Sequence, residues 1–280
     1  MFLRKSNKPF GAIKRPKDER DFKLGKVQAP IEIPKIYMPD LSVYQKYFQN
    51  GIPACGAHAG AMLKVIQETK EYGHPVSFSP RFLWSVIKNK YKDGYALEDG
   101  TDMRSIFETL KTYGICDFDF VGNDVSLSLE NYTNVSLTPS ILDNAHPRVI
   151  KSYAFIDDGG SVSIQDLKQA IYQNGAVLLL ISLDNGFFGT KNPIFTTKKY
   201  RHFVVAANYD EDSFYIIDST EKDFSFSVKR MLNKDIGFVI EAGTSVDLPD
   251  DVIILQKQII AKAQTVVGLL AKLKLMLGIK

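Results

Sequence analysis

A chain of 280 residues with 45% apolar and 24% charged residues has enough apolar sequence for one large domain or two small lobes. A net charge of +3 gives no argument for a nucleic-acid partner, and we expect no specific one. Two cysteines cannot build a disulfide framework, so we expect no disulfides and a reducing compartment, and each thiol has to be explained singly.

The first stretch, residues 1–35, is rich in Lys, Arg and Pro, with nine basic residues against three acidic ones before Val27. It has little helical or strand period. It reads as a basic extended arm, or as a strap laid across the domain with an ion-pair-rich turn at KDERD. No apolar run follows it that would make a signal peptide, and no uninterrupted apolar stretch is long enough for a transmembrane helix.

Helical signals begin after Pro53. The run ACGAHAGAMLKVIQETKEYG has small and apolar residues at helical spacing and stops at Gly73, a C-terminal cap. In SFSPRFLWSVIKNKYK, Ser79 is placed to cap a helix whose first residue is Pro80. A third helix starts at Thr101 or Asp102 and ends at Gly114, with Met103, Ile106, Phe107 and Leu110 on its apolar face. Residues 118–150 read as irregular and polar. Another helix is expected from Ser163 to about Tyr172. After Gly175 the pattern becomes that of short strands: AVLLLISL, RHFVVAANY, SFYIIDS, FSFSVKRM and IGFVIEAG. The fold class is therefore α+β, with a helical first half and an antiparallel β second half.

Residues 249–280 differ again. Apolar residues from Ile254 to Leu277 recur at three- and four-residue steps with lysines between them, which predicts an amphipathic helix. Such a stripe needs cover. We expect it to be buried by self-association or by a partner protein, with a membrane surface or the domain itself as alternatives.

The stretch QNGIPACGAHAGAML carries the chemistry. Cys55 sits at the first turn of a helix, where unpaired N–H groups and the helix dipole favour a thiolate, the nucleophilic form. Gln49, six residues upstream, can donate to an oxyanion from its side-chain amide. Of the four histidines, His58 lies one turn along the same helix and reads as a packing residue or a satisfied polar contact. His74 and His146 precede prolines in exposed turns. His202 opens a strand, and Asp218 ends the next one. An antiparallel pair joined by the DED turn brings the two together, so Asp218 can fix the tautomer of His202. Cys116 has no such partners and reads as core. No metal or cofactor motif occurs.

The order Gln49, Cys55, His202, Asp218, with helices before strands, resembles the papain-like cysteine peptidases. The spacings of six and sixteen match that family's glutamine–cysteine and histidine–asparagine spacings. SFSPRFLWSVIK resembles the helix after the nucleophile helix. EDGTDMRSIFETLKTYGIC and RDFKL resemble bacterial and phage members without long prodomains. The resemblance covers about residues 15–245. It implies a two-lobe domain over residues 36–248, with a helical lobe at about 45–150 and a β lobe at about 151–248. It also implies a Cys55–His202–Asp218 triad with Gln49 in the oxyanion hole. The backbone at Gly100 and Thr101 would line a cleft for an extended peptide.

The chain also departs from the pattern. Gly56 stands where the family has a tryptophan, Ile52 where it has a disulfide cysteine, Asp218 where it has asparagine, and Thr220 where a tryptophan shields the His–Asn pair. A missing shield would admit water to the pair. The expected function is a thiol peptidase or amidase, cytoplasmic or virion-associated. The alternative is a weak or inactive peptidase fold serving a larger assembly. The N-terminal arm is too short and Pro-broken for the family's inhibitory prodomain, so its removal is not expected to release activity.

Overall fold

The structure, a computed structural model, describes residues 11–19, 21, 23–24, 31–156, 161–196 and 198–246. The expected helix at 249–280 lies outside the described residues.

Strand β1 (Ala12–Ile13) runs parallel to β2 (Thr101–Asp102). The helical half holds α1 (Cys55–Tyr72), α2 (Pro80–Val86), α3 (Met103–Tyr113), α4 (Phe118–Val121), α5 (Leu129–Thr133) and α6 (Pro139–Ala145). Strand β3 (Ser152–Phe155) and helix α7 (Ile164–Asn174) lead into β4 (Val177–Leu183), β5 (Tyr200–Tyr209), β6 (Ser213–Ile217), β7 (Val228–Leu232) and β8 (Val239–Val246). The six strands β3 to β8 form one antiparallel sheet in the order β3-β8-β4-β5-β6-β7.

The local signals explain the helix ends. Gly73 closes α1 at φ 73°, a left-handed conformation that costs glycine nothing. The Ser79 hydroxyl accepts from Phe82 N at 3.0 Å with Pro80 at the first position, and Asp102 accepts from Ser105 N at 2.9 Å. Ser163 caps α7, which runs two residues past the expected end. Residues 118–150 differ from the irregular reading. Single helical turns occur there, with Ser128 and Thr138 as caps, too short to leave a periodic trace in sequence. Two other departures are local. Strand β3 was not expected, and Phe224–Phe226 is a 3-10 turn rather than part of a strand.

Two cores follow from alternation along the sheet. Phe203, Val205 and Ala207 of β5 join α1, α2 and α3 in one cluster, while Val204 and Ala206 face a second cluster with α7. Strand β4 feeds both, which is why VLLLISL reads as continuous rather than alternating. Helix α1 is tied to the sheet by Gln67, whose amide donates to Asn174 O and Ser245 O at 3.0 Å each. The element that begins with Cys55 is thus anchored against the strands that carry His202.

The N-terminal stretch is a strap over its described part. Arg15 lies over the Phe155 ring at 3.6 Å and pairs with Glu241 at 3.3 Å and with Asp21 at 3.2 Å. Asp21 in turn takes a two-pronged contact from Arg104, at 2.7 and 2.8 Å. Asp21 of the KDERD turn thus joins Arg15 to Arg104, and Leu24 beyond it is buried.

Candidate active site

Cys55 is the first residue of α1 and is fully buried. Its backbone N–H lies, by position, outside the intrahelical ladder. Gly56 follows it because there is no room for a side chain. A Cβ there would come within 2.7 Å of Thr101 Cγ2, 2.9 Å of Ile106 Cδ1 and 3.3 Å of Phe203 Cδ2. Three other elements fill the space that a tryptophan would need, so the departure at Gly56 is a change of packing and leaves no void.

His202 is the third residue of β5 and is fully buried. Its Nε2 bonds Asp218 Oδ1 at 2.8 Å, which leaves Nδ1 as the ring nitrogen for the Cys55 thiol. Burial by itself lowers the imidazole pKa. Hydrogen bonds that the ring donates to Asp218 and Cys55, with their charges, outweigh burial and raise it to about 9. Asp218 follows directly on β6, and its N–H donates to Ser227 O at 2.8 Å, so the hairpin fixes its place opposite His202. Thr220 supplies two more hydrogen bonds to the carboxylate, from N at 3.0 Å and from Oγ1 at 2.6 Å. Burial raises the Asp218 pKa, but these bonds and nearby cations bring it below the usual carboxylate value.

The expected loss of an aromatic shield is not what the fold shows. Thr220 replaces the tryptophan locally, but Phe187 packs edge-on against His202, with ring centroids 6.2 Å apart at 70°. His202 and Asp218 are 0% and 1% exposed. The shield comes from the β4–β5 connection, and the sequence around Phe187 carries no motif that would have announced it.

Gln49 is 1% exposed and held at three points. Its side-chain NH2 donates to Ile52 O at 3.1 Å, its Oε1 accepts from Ser219 Oγ at 2.7 Å, and its backbone N–H donates to Ser219 O at 2.8 Å. A primary amide has two N–H donors, so one remains beyond the Ile52 bond. Ser219 therefore links Gln49 to the neighbour of Asp218, a contact that spacing could not reveal.

The remaining expected positions fall as follows. His58 is buried, stacks on Tyr132 at 6.4 Å and bonds Ala54 O through Nδ1 at 2.9 Å. Burial lowers its pKa to about 4, so it stays neutral and acts in packing. A cavity of about 10 Å³ separates it from Asp218 and Ser219, room for one water at most. His74 and His146 are exposed. Cys116 is core, and burial pushes its thiol up to about 12. Among the described residues there is no group of His, Cys, Asp and Glu that could hold a metal ion.

Gly100 and Thr101 do not form an open edge. Strand β1 occupies it, with Thr101 N donating to Gly11 O at 3.0 Å and Ala12 opposite Thr101. Gly11, at φ 76°, is wedged between Pro53 and Gly100. A Cβ on Gly11 would meet Pro53 O at 2.2 Å, and one on Gly100 would meet Gly11 O at 1.5 Å. The strap thus seals the wall next to the Cys55 turn. The arm thus bears on the site through β1, a contact that its lack of helical or strand period did not suggest.

With this geometry established, comparison with solved structures is informative. Xylellain, a cysteine protease from Xylella fastidiosa, superposes with a TM-score of 0.67 at 17% identity, over 89% of this chain and 100% of that one. Digestive procathepsin L 3 from the Tenebrio molitor larval midgut gives 0.64 at 15% identity, over 81% and 74%. The Carica candamarcensis cysteine protease CMS1MS2, solved with E-64, gives 0.58 at 14% identity, over 78% and 100%. This chain has the papain-like cysteine protease fold. No protein-family profile matches the sequence, and no curated protein matches it. At 14–17% identity these likenesses rest on the backbone fold. Among the described residues no helix is long and apolar enough to cross a membrane.

Proposed function

We propose that the chain is a papain-like thiol hydrolase that cleaves peptide or related amide bonds through Cys55, His202 and Asp218. The observation that carries this reading is the buried His202 Nε2–Asp218 bond of 2.8 Å, with Cys55 beside the other ring nitrogen at the start of α1. The attacking group is a thiolate. His202, which keeps its proton up to about pH 9, is the cation next to it. Attack forms the Cys55 Sγ–carbonyl carbon bond and puts negative charge on the carbonyl oxygen. The second Gln49 N–H and the Cys55 backbone N–H receive that charge. His202 then gives its proton to the leaving amine as the C–N bond breaks, leaving a thioester. A water, deprotonated by His202, hydrolyses the thioester and restores the thiol. Asp218 keeps the imidazole in one tautomer throughout.

The test is labelling with a thiol-directed epoxide or vinyl sulfone of peptide type, followed by mass mapping. Cys55 should be modified in the native protein and spared in His202→Ala, with Cys116 unmodified in both. Equal labelling in both proteins would refute the triad.

A further inference from the structure

Lys229 was given no role by the spacing argument, yet it is one of the most completely buried charged side chains in the fold, at 0% exposure. It lies on β7, beside the hairpin end that holds Asp218. Its ammonium donates to Glu221 Oε1 at 2.7 Å and to Thr190 O at 3.0 Å. It stands 3.8 Å from Asp218 Oδ2. It also sits 4.8 Å from the centre of the Phe187 ring, the ring that packs on His202.

An ionised carboxylate with no exposure is costly unless its charge is balanced. Asparagine would hold His202 without that cost, whereas aspartate adds a buried charge. The groups facing His202 are Asp218 after β6, Cys55 and the neutral His58 on α1, and Phe187. Lys229 lies behind Asp218, with Glu221 beyond it. Lys229 is therefore the cation placed to balance Asp218 from the side opposite His202. It reaches His202 both by charge, through Asp218, and by packing, through Phe187.

We propose that Lys229 is a positioning residue of the thiol site, the buried countercharge that lets an aspartate rather than a neutral acceptor hold His202. The proposal rests on the thiol-hydrolase reading above. Removing a cation near the site raises the pKa of every group around it, and removing an anion lowers it.

The experiment is the pH profile of Cys55 alkylation by iodoacetamide in the full-length protein, with melting temperature followed in parallel. In Lys229→Met both limbs of the profile should move up by about one pH unit, so labelling on the acid limb slows about tenfold. Glu221→Gln should move the limbs down, and Lys229→Arg should leave them in place. A merely structural lysine would lower the melting temperature without moving the limbs, and unmoved limbs in folded Lys229→Met overturn the proposal. If Lys229→Met does not fold, Glu221→Gln decides, since unmoved limbs there overturn it equally. A wild-type Cys55 that alkylates as an ordinary thiol, independent of His202, refutes the parent reading and this one with it. Limbs that are present but unmoved refute this one alone.

Discussion

Valine in place of Gly11 should expose Cys55 to reagents. The contacts of β1 set the magnitude. The parallel ladder to β2, with Thr101 N donating to Gly11 O beside the Ala12–Thr101 and Ile13–Asp102 pairs, contributes about 1 kcal/mol for each hydrogen bond. Burying the Ala12 methyl contributes about another 1 kcal/mol. Against these, a β-branched residue at φ 76° costs about 1–2 kcal/mol. Its Cβ would also meet Pro53 O, C and Cα at 2.2, 2.7 and 2.8 Å, all backbone atoms that cannot rotate away. Overpacking of this kind costs about 1–3 kcal/mol more. The strain is thus of the same size as what holds the strand down. Arg15, held by Glu241, Asp21 and the Phe155 ring, keeps the rest of the strap docked. The expected result is local detachment of β1 in a folded domain. Each 1.4 kcal/mol of shift is tenfold in the open population, so native-state alkylation of Cys55 should accelerate roughly 10- to 100-fold. Intact-mass kinetics with iodoacetamide measures this, with buried Cys116 as the internal control. Deletion of residues 1–13 should act in the same direction. An unchanged labelling rate in both proteins, with native circular dichroism, would refute the argument that this strand limits access.

Asp218→Ala should lower hydrolysis by at least about 100-fold, with Asp218→Asn milder, in a fluorogenic peptide assay. Equal activity in all three forms would reduce Asp218 to a turn residue. The raised His202 pKa predicts that activity falls as pH climbs through about 9, where the imidazolium is lost. Asp218→Asn removes an anion and should bring that limb down in pH, read from kcat/KM profiles. Gln49→Ala should cost about 10²–10³ in kcat with little change in KM, since it removes one oxyanion donor. Phe187→Ala empties a fully buried site and should destabilise the fold by about 3–5 kcal/mol in urea titration, whereas an exposed Phe187 would show far less.

The α+β class, most helix boundaries and the candidate residues Gln49, Cys55, His202 and Asp218 were legible in the linear sequence, because each rests on short-range signals. Ser79–Pro80, Asp102 and Gly73 announce helix ends through bonds that span three or four residues. His202 and Asp218 meet because a single hairpin separates them, at sixteen positions. Cys55 stands at a helix start because the turn through Gly51 and Pro53 delivers it there.

What surrounds those residues was decided only by tertiary packing. Phe187 shields His202 from a connection without regular pattern, Lys229 turns inward on a strand where a lysine reads as solvent-facing, and Ser219 clamps Gln49 from 170 positions away. The strap closes on the domain through Arg15 and Glu241, separated by 226 positions. No periodicity or spacing encodes such pairs, because their energy arises from burial and charge balance that exist only once the helices have packed on the sheet.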